Sequence, residues 1–214
     1  MSTQDVVLLG SGGLGRETVQ ITRSPGSRAR VIGFLDDDPR LRDRTVAGLP
    51  VLGPTGDAAG LGGDVAVVAT VASAADPQRR SRLVGRLGLP SGRYTRIVHP
   101  AASLAPDTEL GVGTVVMAGV IATSDVRVGR HVVLMPGCVL THDVKVGDGA
   151  TLAAGVLLAG GVIVEPDAYL GSGVRVREGV RIGAGAVIGM GSVVLHDIPA
   201  AQVWVGVPAR PLER

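Results

Sequence analysis

One repeat constrains this chain more than any other feature. Every sixth residue from Val98 onward reads Val98, Leu104, Leu110, Val116, Ala122, Val128, Leu134, Leu140, Val146, Leu152, Leu158, Val164, Leu170, Val176, Ile182, Ile188 and Val194, and only Ala122 is not Val, Leu or Ile. Four residues after each stands a small or β-branched residue, from Ala102 through Cys138, Ala150 and Val174 to Ser192. Glycine often follows the aliphatic residue directly, as at Gly111, Gly129, Gly147, Gly171, Gly183 and Gly189. A period held this long marks a repeat architecture whose units bury little alone and gain a core only by stacking. The aliphatic residue points inward onto its counterpart in the next coil, and the small residue points inward near a tight corner. The pattern predicts an all-β parallel β-helix over residues 98–195, followed by a closing segment, 196–214. Composition agrees: aromatics are 2% of the chain against 33 glycines, so the core must be built from Val, Leu, Ile and Ala.

Residues 1–97 follow another rhythm. Val6-Val7-Leu8-Leu9, Val31-Ile32-Gly33-Phe34-Leu35 and Val65 to Ala69 read as buried strands, and Tyr94 to Val98 as a short last one. Gly15 to Arg23 has helical spacing, and Pro77 to Leu87 reads as a basic helix. Alternation of this kind predicts an α/β domain with a parallel sheet. Gly10-x-Gly12-x-x-Gly15 follows the first strand, where backbone N–H groups at a helix N-terminus can meet a phosphate. Asp36 lies where a ribose-binding acid would. The same residues also fit a tight turn and a solvated strand end that bind nothing.

Several classes are set aside. The net charge is +2 without a Lys/Arg block, which argues against nucleic acid. No apolar run is long enough to span a membrane, and no signal peptide is expected from Met1-Ser2-Thr3-Gln4-Asp5, so a cytoplasmic enzyme is the default. A lone cysteine rules out an internal disulfide framework. His99, His131, His142 and His196 lack metal-ligand spacing, so no metal is expected. His99 is read as shaping the entry to the repeats, His131 as sitting at a surface turn, and His196 in a loop. Cys138 takes an inward position and reads as a packed thiol.

The chain resembles bacterial hexapeptide-repeat acyltransferases. It is most similar to the subgroup that includes sialic acid O-acetyltransferases and nucleotide-linked 4-amino-sugar N-acetyltransferases. The resemblance is carried by Gly10-Ser11-Gly12-Gly13-Leu14-Gly15-Arg16-Glu17, Gly33-Phe34-Leu35-Asp36-Asp37, Gly48-Leu49-Pro50-Val51-Leu52-Gly53, Val98-His99-Pro100, Thr141-His142-Asp143 and Val203-Trp204-Val205-Gly206-Val207-Pro208-Ala209-Arg210. It implies a left-handed coil, a homotrimer and a Rossmann-like N-terminal domain. In that domain Gly12, Gly13, Asp36, Asp37 and Thr70 would hold the nucleotide of the acceptor. It implies acetyl-CoA as donor, near Thr151, Gly171, Ser172, Gly189 and Met190, with direct transfer and no covalent cysteine. Trp204 would cover part of CoA or pack on the last coil. The resemblance also makes His142 the general base and Asp143 the acid that orients it. On spacing alone His142 should face outward, and imidazole suits proton removal near neutral pH. The rival readings are an acyltransferase for a hydroxyl or for a small molecule without a nucleotide, a non-catalytic trimeric binding protein, and an NAD-dependent oxidoreductase. The last finds no hydride-transfer apparatus in the repeats.

Overall fold

The structure, a computed structural model, describes residues 3–212. Its first part contains β1 (Gln4–Leu9), α1 (Gly13–Arg23), β2 (Ala29–Leu35), β3 (Thr45–Val46), β4 (Leu49–Gly53), β5 (Ala66–Ala69) and α2 (Arg79–Leu87). The strands lie in the order β3-β4-β2-β1-β5. β1, β2, β4 and β5 run parallel. Val6 to Leu9 are fully buried, as expected of a central strand covered on both faces. The chain leaves β1 toward β2 on one side and returns to β5 on the other. The crevice at the carboxyl ends of these strands is therefore a topological switch point, where open α/β sheets bind ligands.

Two details depart from the sequence reading, and a third adds to it. The second helix starts at Arg79, two residues after Pro77. Tyr94 makes only an isolated bridge to Val67, so the strand before the repeats is confined to Ile97–Val98. The Gly48–Gly53 motif is half of a hairpin: β3 pairs antiparallel with β4 across Ala47 and Gly48, both at positive φ (50° and 78°). That two-residue turn matches strand twist and favours glycine.

From Ile97 the chain winds as two-residue strands, each paired in parallel with the strand 18 residues on, as Ile121 with Val139 and Val139 with Leu157. Three hexads therefore make one coil, and the strands stack into three flat sheets. The aliphatic column from Val116 to Val194 and the small column beside it form one buried cluster. Burial of each such leucine is worth about 1.5–3 kcal/mol. Val98, Leu104 and Leu110, at the open first coil, are only partly buried. At the far end a hairpin of Val203–Gly206 and Ala209–Pro211 closes the stack, with Trp204 paired to Ile188 and packed on the core.

The three outer faces differ. The face carrying Ile97, Val115 and Val133 is covered by the α/β domain, with which these residues share one apolar cluster. A second face is charged, with Glu109, Arg127, Lys145 and Arg181 in its outward ladder. The third is mainly apolar, with Val139, Leu157 and Val193 outward and half-buried and Ile121 outward and exposed, interrupted by Ser103 and Arg175.

Arg80 fixes α2 to the coils. Its side chain is 1% exposed, and it donates to the carbonyls of Val71, Gly149 and Ala150 and to the Thr151 hydroxyl at 2.8, 2.8, 3.1 and 2.6 Å. Next to it, Ser81 donates to Asp167. His131 stands near this guanidinium. It does occupy a turn, at φ 53°, but not an exposed one, because Tyr94 closes over it edge-to-face at 4.6 Å. Burial first, then the charge of Arg80 and of Arg130, pushes its pKa down to about 4, against an opposing pull from Asp148. The unfolded chain takes this proton near pH 6.5 and the folded chain only near pH 4, so acid favours unfolding between those values. The melting temperature should therefore fall as pH drops through that window, and His131→Asn, which tolerates the positive φ, should flatten the decline. Equal slopes for the two proteins between pH 6.5 and 4 would contradict this assignment.

Candidate active site

His142 lies at the corner between the apolar and the charged faces, on the turn that joins Val139–Leu140 to Lys145–Val146. The turn is tied to the coils on both sides. The Thr141 hydroxyl donates to the Leu158 carbonyl at 3.0 Å, Gly161 N–H to the His142 carbonyl at 2.9 Å, and Asp143 N–H to the Ser124 carbonyl at 3.0 Å. Asp143 sits at φ 61°, in a turn position that is glycine in most other coils. Its carboxylate Oδ2 meets His142 Nδ1 at 2.9 Å. A carboxylate can only accept, so in the neutral ring the proton sits on Nδ1 and the lone pair on Nε2. The imidazole is 67% exposed and turned outward.

The second site is a cleft of about 1000 Å³ at the switch point of the sheet, bounded by the glycine-rich loop, Asp36 to Asp38 and one side of α2. Gly10 takes φ 106°, and the absence of a side chain at Gly15 lets α1 press against the Gly10 carbonyl. Gly12 and Gly13 open onto the cleft, and no side chain caps the first N–H groups of α1. That leaves an electropositive helix end facing the cavity. Asp36 is committed largely to the protein: its Oδ2 accepts from Ser11 N–H and Oγ at 2.8 and 2.7 Å, and its Oδ1 from Asp38 N–H at 3.0 Å. Asp37 Oδ1 accepts from Thr55 N–H and Oγ1, and its Oδ2 from Arg86 at 2.8 Å. Burial raises the Asp37 pKa, but the Thr55 hydrogen bonds and Arg86 outweigh it and hold the carboxyl below the usual range. Thr70 is 2% exposed and gives its hydroxyl to the Gly10 carbonyl at 2.7 Å, so it shapes the loop beneath the cleft.

Of the residues expected near the donor, Gly171, Ser172, Gly189 and Met190 meet at one corner of two adjacent coils, and Thr151 stands apart from them. Thr151 is a correction: it is 4% exposed, and its hydroxyl accepts from Arg80, so it has no surface to offer a ligand. Packing explains Gly171 and Gly189, since a side chain at the first would strike the Met190 backbone and at the second the Val205 side chain. Ser172 is exposed, and Met190 is 81% exposed. Cys138 is buried, its Sγ 3.1 Å from the Ala153 carbonyl, and burial pushes its pKa up to about 11, unsuited to a nucleophile. His99, read as shaping the entry to the repeats, also links the two halves: it accepts from Ala101 N–H at Nδ1 and meets Ser24 Oγ at Nε2, 3.0 Å away. Among the described residues no His, Cys, Asp and Glu side chains cluster in a metal-holding group.

Residues 125–160 and 161–196 match the family model for the bacterial transferase hexapeptide (six repeats). A histidine-to-alanine mutant of GDP-perosamine N-acetyl transferase from Caulobacter crescentus, solved with CoA and GDP-perosamine, is 33% identical. That match covers 98% of this chain and 97% of that one, with a TM-score of 0.87. This chain belongs to the hexapeptide-repeat acyltransferases. Its place there is in the subgroup that includes sialic acid O-acetyltransferases and nucleotide-linked 4-amino-sugar N-acetyltransferases. Two further structures share the fold at lower identity. The acetyltransferase domain of PglB from Neisseria gonorrhoeae FA1090, in complex with acetyl coenzyme A, is 24% identical over 99% of this chain and all (100%) of that one, with a TM-score of 0.86. WeeI from Acinetobacter baumannii AYE is 23% identical over 98% and 100% of the two chains, with a TM-score of 0.68. A search of curated proteins found no match.

The sequence of this acyltransferase marks α2 as a basic helix but does not by itself assign its arginines to the cleft. Arg79, Arg82 and Arg86 line the cleft from one side of α2, together with the glycine-rich loop. Their spacing of three and four residues is the signal that would have placed them together.

Proposed function

We propose that this acyltransferase moves an acetyl group from acetyl-CoA to the amine of a nucleotide-linked amino sugar. The observation that carries this is the combination in one chain of an outward imidazole oriented by a carboxylate and a separate cleft suited to phosphates. The Caulobacter relative was solved with CoA and GDP-perosamine, which are a donor remnant and an acceptor of this type. Residues 1–97 serve as a Rossmann-like nucleotide-binding domain and 98–195 as the catalytic helix, left-handed by family resemblance, with 196–214 closing it. Gly12 and Gly13 receive phosphate at the end of α1, and Asp37, whose carboxylate lines the cleft, is assigned to the nucleoside. Asp36 and Thr70 hold the loop in shape.

In the reaction, His142 Nε2 removes a proton from the amine as its nitrogen attacks the thioester carbonyl. The tetrahedral intermediate collapses, the C–S bond breaks, and the thiolate leaves as CoA, taking the proton from His142. Asp143 holds the imidazole in the tautomer that accepts at Nε2 and favours the transient imidazolium. Ser172 and Met190 are exposed on later coils, where the pantetheine arm would run.

The mainly apolar face beside His142 supports a homotrimer. Burying Ile121, Val139, Leu157 and Val193 against a second copy removes apolar surface from water and brings a neighbour's coils to the His142 corner, giving the thioester a second wall. We assign the enzyme to the cytoplasm, because its donor acetyl-CoA is made and used there.

Thermal shift separates the two sites. A nucleoside diphosphate and acetyl-CoA should each raise the melting temperature alone, by about 2.7 kcal/mol of stability at 100-fold excess over Kd. Asp37→Ala should remove the first shift, raise the acceptor KM and preserve the second. Loss of both shifts, or of neither, would contradict the assignment of the cleft.

A further inference from the structure

We propose that Gly160 is a positioning residue for His142, a role that rests on His142 being the base. The two residues are 18 apart in sequence and therefore stack at the same corner of adjacent coils. A side chain built at Gly160 would fall onto Cε1 and Nε2 of the His142 imidazole, so the ring lies across bare backbone.

The glycine is not there for the chain's own conformation. Gly160 is absent from the residues with positive φ; the left-handed place in this turn belongs to Gly161, at φ 68°. Nor does the repeat ask for glycine at this position. Every sixth residue from Pro106 to Met190 is the first residue of a corner, and Gly160 alone among them is glycine; its counterparts include Pro136, Asp148, Ala154, Pro166 and Glu178. A side chain is thus accepted at all the other corners and missing only where the imidazole lies. The ring is held from one edge by Asp143 at Nδ1 and from beneath by the Gly160 backbone, which fixes where Nε2 points. With 67% of its side chain exposed, His142 has few other contacts to restrict its rotamer.

Gly160→Ala tests this. Removing a glycine from a backbone that any residue can adopt should leave the melting temperature unchanged or raise it. The methyl group should push the imidazole off its seat and lower kcat about 10- to 100-fold, the scale of a small misplacement of a catalytic group. Acceptor KM and the acetyl-CoA Kd should stay as in the wild type. In a His142→Ala background, where no ring remains to displace, Gly160→Ala should cost nothing further, so the two substitutions are strongly non-additive. Wild-type kcat in Gly160→Ala would overturn the proposal, as would an equal loss with and without His142. Misfolding of the variant would also overturn it, by assigning the glycine to the backbone. If His142→Ala itself is fully active, the mechanism fails instead, and the two failures are distinct.

Discussion

His142→Ala is expected to lower kcat by about 100- to 10,000-fold, the range associated with removing a positioned general base. The outward ring contributes little burial, so melting temperature and oligomeric state should not change. The loss should fall on turnover with acetyl-CoA and acceptor both saturating, because neither the cleft at the carboxyl ends of the sheet nor the later coils contain His142. Steady-state kinetics alongside light scattering checks this. A variant that keeps near-normal turnover in the native assembly would remove His142 from the chemistry.

The second large effect should come from the apolar face. Ile121→Glu puts a carboxylate between Ser103 and Val139 on this face, with no cation on either neighbouring strand of the ladder. Burying it without a partner against a neighbouring copy is strongly unfavourable, so the assembly should fall apart. Activity should then drop about 100-fold or more, since the thioester loses the wall that orients it beside His142. Ile163→Glu is the control. It lies on the charged face between Lys145 and Arg181, and it should leave both mass and activity as they were. Light scattering at micromolar concentration reads the result directly; an Ile121→Glu protein that remains a trimer would locate the interface elsewhere.

The β-helix was legible because its rule is local. A residue that must point inward every six positions leaves its mark on the sequence whatever else surrounds it, and Val98 to Val194 follow that mark. The outward aim of His142 came from the same count. What stayed hidden depends on neighbours far apart in sequence. Thr151 reads as an outer-face hydroxyl until Arg80, 71 residues earlier, is seen to reach it from α2. His131 stands at a turn, and only the approach of Tyr94 and Arg80 covers it. The role of Asp36 in bracing the loop at Ser11 likewise depends on β1 and β2 lying side by side. Gly160 is an intermediate case. The corner series shows it as an exception in the sequence, but its relation to His142 needs the 18-residue register of the coils.

The central claim is transfer to an amine that a nucleotide holds in place, and one comparison tests it most directly. Acetyl-CoA consumption should be measured with a nucleoside-diphosphate-linked 4-amino sugar and with the same amino sugar freed of its nucleotide, and the products weighed by mass spectrometry. The account predicts an N-acetylated nucleotide sugar, formed with a kcat/KM at least about 100-fold above that for the free sugar, because the cleft supplies binding and orientation that the sugar alone cannot engage. Equal kcat/KM for the two forms, or acetylation of a hydroxyl in place of the amine, would contradict it.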